Sequence, residues 1–222
     1  SQGAIMAGIP RIVEENQSNM VAKMTAMVLG LPRPATDAIT VFPGRGETER
    51  LQYAVKAWHQ YVEASYLLIA GTEWETEATT LQPTMEMLLG EPYSLISDYG
   101  VVIQYHAHST IDQTAWVVEQ VKNKGITSLS LVATTYHLVR AYLTLLKEFR
   151  RKNVPWIPII PLPAPKDPGA IVPEDGVDAW QLFDGEVARI EKYQGPDFQN
   201  VATLPELKEY LTWLYLQPLL LE

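Results

Sequence analysis

The stretch that decides the fold runs from Leu129 to Ala141 and reads LSLVATTYHLVRA. It opens within a short apolar run, residues 128–133, that has the length and composition of a buried strand. It then enters a helix that we expect to continue to about Arg151, because apolar residues recur at spacings of three and four. These residues are Leu138, Ala141, Tyr142, Leu145 and Leu146. The stretch therefore predicts a strand that passes directly into a helix.

The junction of this strand and helix is a candidate ligand site. A threonine there, Thr134 or Thr135, can cap the helix, whose first backbone N–H groups lack intrahelical acceptors. His137 and Arg140 are three residues apart and share one face of the first turn. In open parallel sheets, ligands bind just beyond the carboxyl ends of the strands. A proton-transfer group beside an anion-binding group at that place indicates a functional site.

Four further apolar runs extend the pattern along the chain. These runs predict strands at residues 38–42, 66–70, 101–105 and 154–160. The run at 128–133 is the fifth predicted strand. Predicted helices lie between them, including one at 74–89, and such alternation favours parallel strands joined by crossover helices. The expected fold is α/β, with a doubly wound, mainly parallel five-stranded sheet, helices on both faces and a C-terminal helical extension.

Two segments flank the predicted sheet domain, which we place at residues 37–163. Residues 1–36 form an N-terminal helical segment, and residues 164–222 form a proline-rich arm followed by two amphipathic helices at 178–193 and 204–216. Exposed apolar helix faces are unfavourable. The C-terminal helices therefore either cover the sheet domain, which we favour, or form a homodimer interface.

The composition limits the classes of function. Seventeen basic residues against 26 acidic ones give a formal net charge of −9, which disfavours a nucleic-acid partner because such partners bind basic patches. The chain has no cysteine, and this excludes disulfides, thiolate metal sites and cysteine nucleophiles. No run reaches the roughly 18 apolar residues needed to span a membrane, so we expect a cytoplasmic protein. A few local arginines must hold any anionic ligand.

The first predicted strand is followed by Gly44, Arg45 and Gly46 at the start of a helix. A glycine pair at this place lets backbone amides approach an anion. Arg45 or Arg50 would add charge-assisted hydrogen bonds to a phosphate or carboxylate. The pattern is neither a complete G-x-G-x-x-G fingerprint nor a Walker loop, so it does not predict a conventional NAD or P-loop nucleotide site. A tight turn with solvated charges is the alternative interpretation.

The second predicted strand ends at Gly71, Thr72 and Glu73. Glycine suits the close approach of a ligand, and Glu73 would meet a ribose or act as a base. An ordinary turn explains the same residues equally well.

The third predicted strand leads into a dense polar loop. Its polar side chains are His106, His108, Ser109, Thr110, Asp112 and Gln113. His106 and His108 would point the same way in a continued strand and form a metal pair, which Asp112 would complete. Ser109, His137 and Asp112 would form a catalytic triad, although Ser109 lacks the G-x-S-x-G elbow. We favour an organic or phosphate ligand over a metal here.

The polar segments at the strand ends occur in the same order as similar motifs in a family of bacterial proteins, the YdcF / SanA / ElyC family, which this chain resembles. Residues 37–44, DAITVFPG, resemble the opening D-x-I-V-V-L-G strand and turn of that family, and Arg50 is similar in place to its next arginine. Residues 66–71, YLLIAG, resemble I-L-x-S-G-G, with Thr72 in place of the second glycine. Residues 109–113, STIDQ, are similar in type to N-T-x-E-N.

The last motif of the family gives the most direct match. Residues 132–141, VATTYHLVRA, resemble V-T-S-x-Y-H-x-x-R-A, with Ala133 and Thr134 in place of the Thr-Ser pair. The resemblance covers about residues 37–163 and implies a divergent member with a Rossmann-like domain and a polar pocket at the strand ends. Some relatives are linked to envelope biogenesis and carry a membrane anchor, and one soluble relative is associated with S-adenosylmethionine binding. No catalytic mechanism is established for the family as a whole.

We therefore expect a hydrolase or transferase that binds a small anionic, phosphate- or nucleotide-like molecule at the strand carboxyl ends. Arg45, Arg50 and Arg140 would bind the anion, while His137 would act as general acid or base, oriented by Asp112. Further hydrogen bonds would come from Ser109, Thr110, Gln113 and Thr134. Two alternatives stay open. One is a non-catalytic protein that binds a nucleotide or S-adenosylmethionine, and the other is a metal-assisted hydrolase using His106, His108 and Asp112.

Overall fold

The structure, a computed structural model, describes residues 17–44, 48–61, 64–71, 100–172 and 176–221. These residues contain a five-stranded, all-parallel sheet with the order β3-β2-β1-β4-β5. Its strands are β1 (Ala38–Val41), β2 (Tyr66–Ile69), β3 (Val101–Ile103), β4 (Leu129–Thr134) and β5 (Ile159–Ala164). The predicted doubly wound α/β fold of Rossmann-like type is confirmed. The helix predicted at 74–89 lies outside the described residues.

The helices of the described segments lie close to the predicted positions. They are α1 (Gln17–Leu29), α2 (Thr48–Gln60), α3 (Thr110–Lys124), α4 (Thr135–Arg151), α5 (Ala179–Gln194), α6 (Leu204–Leu214) and the short α7 (Pro218–Leu221). A two-stranded antiparallel hairpin, β6 (Ile171–Val172) and β7 (Val177–Asp178), precedes α5. None of the helices in the described part of the chain has the length and apolar character required to cross a bilayer.

Alternation along the strands divides the apolar side chains between the two faces of the sheet. Ile39 and Val41 of β1 and Val132 of β4 pack beneath α2 on one face. Ala38 of β1 and Leu131 of β4 pack on the opposite face, in a core shared with α1, α3 and α4. We call these the α2 face and the α4 face. Both faces are covered, which explains why the central strands are buried throughout.

The strand order creates a switch point between β1 and β4. From β1 the chain proceeds through α2 to β2 on one side, and from β4 it proceeds through α4 to β5 on the other. Because both crossovers follow the right-handed rule, α2 and α4 lie on opposite faces and diverge at the carboxyl ends of the two strands. This divergence is the place where α/β sheets form a ligand crevice.

The fifth strand corrects a prediction. It was expected at 154–160 and lies at Ile159–Ala164, with Pro161 and Pro163 inside it. Ile159 N–H donates to the Tyr210 hydroxyl at 2.8 Å, so N–H groups at alternate positions point away from β4. The two prolines occupy these outward positions and remove no bond to β4. The strand forms one edge of the sheet.

The C-terminal extension packs on the α4 face. Ile190 of α5 and Leu207 and Leu214 of α6 are buried in one core with Met24 of α1 and Leu145 of α4. The two helices therefore pack on the sheet domain through these residues, although Trp180 of α5 is 64% exposed. The β6–β7 hairpin and the beginning of α5 form a third, smaller core that packs over the beginning of α4.

Candidate functional site

Two groups of polar side chains lie at the carboxyl edge of the sheet, one on each face. We call the first the histidine cluster, which consists of Thr110, His137, Arg140 and Glu186 on the α4 face. We call the second the threonine crevice, which consists of Glu49, Arg50, Thr134 and Lys166 around the carboxyl ends of β1, β4 and β5. The two groups differ in how completely their polar atoms are bonded.

The histidine cluster is organised by the Arg140 guanidinium. Its Nη2 lies 3.1 Å from His137 Nδ1 and 3.2 Å from Glu186 Oε1, and its Nε contacts Glu186 Oε2. Its Nη1 donates to Thr110 Oγ1 at 3.2 Å. Arg189 adds a second guanidinium 2.9 Å from Glu186. Every nitrogen of Arg140 thus has a partner within the fold, contributed by α3, α4 and α5.

Burial sets the charge state of this cluster. His137 and Glu186 are both buried. Burial, together with the positive charge of Arg140, lowers the pKa of His137 to about 4. Burial alone would raise the pKa of Glu186, but its contacts with His137 and the charge of Arg140 outweigh that effect and hold the pKa below its usual range. At neutral pH the cluster therefore holds a neutral imidazole and an ion pair.

The contact with Arg140 indicates the tautomer of the neutral His137 ring. A guanidinium only donates hydrogen bonds, so His137 Nδ1 accepts from Arg140. In a neutral imidazole whose Nδ1 accepts, the proton is on Nε2. His137 can therefore offer a hydrogen-bond donor at neutral pH. It is not a protonated general acid there, and its accepting nitrogen is already engaged.

Thr134 is the central residue of the threonine crevice. It ends β4, occupies the N-cap position of α4, and its side chain points to the α2 face like Val132 two residues before it. The predicted capping hydrogen bond is not made. The hydroxyl is fully buried and has no hydrogen-bond partner among the described residues. A buried hydroxyl left in this state costs about 1–3 kcal/mol.

Arg50 crosses the crevice from α2 to α4. Its buried guanidinium donates from Nη1 to the Phe42 carbonyl and from Nη2 to the Tyr136 hydroxyl, both at 2.8 Å. Its Cζ also lies 5.5 Å from the centroid of the Tyr136 ring. Arg50 therefore places a buried positive charge at the carboxyl ends of β1 and β4.

Lys166, which follows β5, borders the same crevice. Its Nζ contacts the carboxylate of Glu49 in the first turn of α2. Its side chain is 9% exposed, whereas that of Glu49 is 38% exposed. Burial alone would raise the pKa of Glu49, but the hydrogen bond from Lys166 outweighs it and lowers the pKa. Glu49 is therefore charged at neutral pH.

Several predicted ligand residues bond to one another. Gln113 Nε2 donates to the Gly71 carbonyl at 2.6 Å, and Gly71 N–H donates to Gln104 Oε1 at 2.9 Å. A Cβ atom at Gly71 would lie 2.7 Å from the backbone oxygen of Gln104. Glycine is thus required for the close packing of the β2 and β3 exits.

The polar loop before α3 is organised as a helix start. Ser109 is the N-cap, and its Oγ accepts from the Asp112 backbone N–H at 3.2 Å. Asp112 Oδ2 accepts from the backbone N–H of His108 at 2.9 Å. The carboxylate beside His137 is Glu186, whose Oε1 lies 3.7 Å from His137 Nδ1. Asp112 was expected to orient His137, and that place is taken by Glu186.

The metal site considered as an alternative, with His106, His108 and Asp112, does not form in the described segments. Within them, no three His, Cys, Asp or Glu side chains are arranged to hold a metal ion. His106 and His108 are both exposed.

Gly44 lies half-buried beyond the end of β1. Four further predicted ligand residues, Arg45, Gly46, Thr72 and Glu73, lie outside the described residues.

Sequence reasoning missed Glu186. The amphipathic helix predicted at 178–193 corresponds to α5, but its apolar Trp180 is 64% exposed in the structure. The buried stripe instead includes Leu182, Glu186 and Ile190, at spacings of four. A glutamate in the middle of an apolar stripe is the signal that would have identified a buried ion pair. Lys166, in the proline-rich arm, carries no comparable signal.

Comparison with known proteins gives no further assignment. No protein-family profile matches the chain, and no curated protein matches it in sequence.

Proposed function

We propose that this protein binds a small anionic ligand, of phosphate or nucleotide type, in the crevice at the carboxyl ends of β1 and β4. The observation that carries the proposal is the buried Thr134 hydroxyl, which has no partner among the described residues. Native proteins seldom leave such a group unbonded. A ligand oxygen beside it would accept from the hydroxyl and from first-turn N–H groups of α4, where the helix dipole favours an anion.

The charges around the crevice support an anion rather than a cation. Arg50 is buried there, between the Phe42 carbonyl and the Tyr136 hydroxyl. Interactions with a charge are stronger in a buried site than in water. The protein as a whole carries a formal charge of −9, so the attraction for an anion must come from such local groups. A nucleotide or S-adenosylmethionine would enter through its phosphate or carboxylate.

The state of His137 favours binding without turnover. Its pKa of about 4 and its engaged Nδ1 leave neither a ready acid nor a ready base at neutral pH. A non-catalytic binding protein is therefore the function that the geometry supports best. A hydrolase or transferase is the second candidate, and the 3.7 Å approach of Glu186 to His137 favours it, since a carboxylate stabilises an imidazolium.

Calorimetry and thermal unfolding with inorganic phosphate, pyrophosphate, adenosine nucleotides and S-adenosylmethionine test the proposal. We expect one of the phosphate compounds to raise the melting temperature in step with its concentration. Thr134→Val should weaken that binding about tenfold, the equivalent of one hydrogen bond to a charged group. Thr40→Val is the matched control, because the Thr40 hydroxyl is buried in β1 but bonded to the Leu68 carbonyl at 3.0 Å.

The outcome separates the candidates. The proposal is wrong if the wild-type protein binds none of these anions, or if Thr134→Val and Thr40→Val bind equally well. Phosphorus NMR of the bound ligand over hours then decides between binding and turnover. An unchanged ligand supports a binding protein. Conversion that stops in His137→Gln, with affinity retained, supports the enzyme.

A further inference from the structure

We propose that the ligand is a nucleoside phosphate, and that its base stacks on Trp180 in the first turn of α5. This inference rests on the proposed function, because it extends the ligand from the anion at Thr134 to a planar group at the same edge of the sheet. It assigns to Trp180 the selection of a nucleotide over a simple phosphate or a sugar phosphate.

Trp180 is exposed beside residues that are buried. It is 64% exposed, whereas Ala179 and Leu182 of the same helix turn are buried. Tryptophan is highly buried on average, and it is enriched among the residues that dominate binding energy. The packing of α5 makes no use of the Trp180 ring, so a binding role is the better explanation of a tryptophan at this position.

Trp180 lies at the carboxyl edge of the sheet, as Thr134 does. Ala179, the preceding residue, is buried in the third, smaller core with Tyr136. Tyr136 is two residues after Thr134, which corresponds to about 3 Å along the axis of α4. The backbone N–H of Trp180 donates to the Pro168 carbonyl at 3.2 Å, in the proline-rich arm that follows β5. Trp180 and Thr134 are therefore separated by little more than the first turn of α4.

The direction of α5 turns the indole ring toward the same edge. Ala179 packs with Tyr136 at the beginning of α4, and Glu186, further along α5, contacts Arg140, further along α4. Both helices therefore begin at the carboxyl edge. Side chains of an α-helix tilt toward its N-terminus. An exposed side chain in the first turn, such as that of Trp180, thus projects past the edge at which a ligand enters the crevice.

The charges near Trp180 favour the uncharged end of a nucleotide. Asp178 is the N-cap of α5, two residues before Trp180, and the exposed Asp184 lies one turn after it on the same helix face. These carboxylates repel a phosphate but not a neutral base. The first turn of α4 favours an anion instead. A nucleotide would therefore bind with its phosphate at Thr134 and its base at Trp180.

Adenosine monophosphate and ribose 5-phosphate separate the two parts of the ligand, because they share the sugar and the phosphate and differ in the base. In isothermal titration of the wild-type protein, adenosine monophosphate should bind about tenfold more tightly, near the lower end of what one base–aromatic stack contributes. Trp180→Ala should bring this ratio close to one by raising only the Kd for adenosine monophosphate. Trp180→Phe keeps an aromatic ring and should retain most of the ratio.

An exposed aromatic residue beyond the other end of α5 provides the control. Phe198 follows the last turn of α5 and is 43% exposed. Phe198→Ala should leave both Kd values unchanged, because the ring is far from the carboxyl edge. Thr134→Val should weaken both ligands by the same factor and keep their ratio, because it acts on the phosphate that they share. The melting temperature of each variant without ligand shows that it is folded.

The results distinguish this inference from the proposed function. If the two ligands bind the wild type equally well, or if their ratio is unchanged in Trp180→Ala, the inference is wrong, while a weaker Kd in Thr134→Val still supports the anion site. Loss of affinity for both ligands in Trp180→Ala would mean that the residue supports the fold, which also contradicts the inference. So would an equal fall of the ratio in Phe198→Ala. If the wild type binds neither ligand, the proposed function fails and the inference fails with it.

Discussion

The histidine cluster and the threonine crevice lie at the same edge of one sheet but differ in how their polar groups are satisfied. In the first, a buried imidazole, a guanidinium and a carboxylate bond to one another, with all nitrogens of Arg140 engaged. In the second, the Thr134 hydroxyl is buried without a partner in the described segments. A satisfied network stabilises one arrangement of the fold, whereas the unbonded hydroxyl of Thr134 is the feature on which the proposed ligand site rests.

The comparison reverses the ranking of the candidate site residues that their side-chain chemistry suggests. Histidine and arginine at a strand end are the residues that a reader of the sequence would choose as catalytic. In the fold they join α4 to α5 through Glu186. Thr134, predicted as a helix cap and as a secondary ligand contact, is the residue with unused hydrogen-bonding capacity. Residue chemistry indicates what a group can do, and its partners decide whether it is available.

The largest effect should follow from breaking the histidine cluster. Glu186→Gln removes the carboxylate from a buried site and leaves the positive charge of Arg140 without its counter-charge. We expect the free energy of unfolding to fall by about 3 kcal/mol, at the lower end of the cost of a broken buried pair. Urea denaturation at pH 7.5 measures the change.

An exposed pair of the same type is the control for that variant. Glu209 of α6 is 59% exposed and lies 3.4 Å from Arg150. Glu209→Gln should cost at most about 1 kcal/mol, the usual worth of a surface salt bridge. Equal losses in the two variants would show that the histidine cluster does not hold α5 on the sheet domain.

The next effect is a pH dependence that arises from His137. The pKa of this residue is about 4 in the folded protein and 6.5 in the unfolded chain. Between these values the unfolded chain binds the additional proton, so acid favours unfolding and stability rises with pH. The free energy of unfolding is therefore highest above pH 6.5. It should fall by about 2 kcal/mol when the pH is lowered to 5. Urea denaturation from pH 7.5 to pH 5 measures this loss.

Two variants assign that pH dependence. His137→Gln should remove the slope between pH 6.5 and pH 5, while His106→Gln, at an exposed position of the same edge, should retain it. The lowered pKa of Glu186 adds a loss of stability below its ordinary value of 4.5, which is separate from the window of His137. A slope that survives in His137→Gln would contradict the assignment.

The central sheet could be predicted because its strands are buried on both faces. Every residue of β1 and β4 is buried, and such strands read as continuous apolar runs. The fifth strand was misplaced by about five residues, since Pro161 and Pro163 indicate a strand break. A proline is compatible with a strand when its nitrogen faces the side that has no neighbouring strand. Only the strand order shows which side of β5 that is.

The site was predictable only where its contacts are local. His137 and Arg140 are close because they are three residues apart on a helix. Glu186 is 46 residues from Arg140 in the chain, so its contact depends on how α5 docks. That Thr134 lacks a hydrogen-bond partner is even harder to predict from the sequence, because it depends on every group that surrounds the hydroxyl. Sequence identifies candidate residues, but their partners are a property of the packing.

The smallest effect tests the comparison most directly, through two buried threonines on neighbouring strands. Thr40→Val should cost about 1 kcal/mol, because it removes a hydrogen bond and leaves the Leu68 carbonyl without its donor. Thr134→Val should cost nothing, or stabilise by up to about 1 kcal/mol, because it replaces an unbonded buried hydroxyl by a methyl group. Urea denaturation without ligand measures both. If Thr134→Val costs as much as Thr40→Val, the hydroxyl has a partner in the protein, and the crevice loses the feature that distinguishes it from the histidine cluster. Pyrophosphate should stabilise the wild type and Thr40→Val equally, and Thr134→Val by about 1.4 kcal/mol less at saturating concentration, which corresponds to a tenfold weaker Kd.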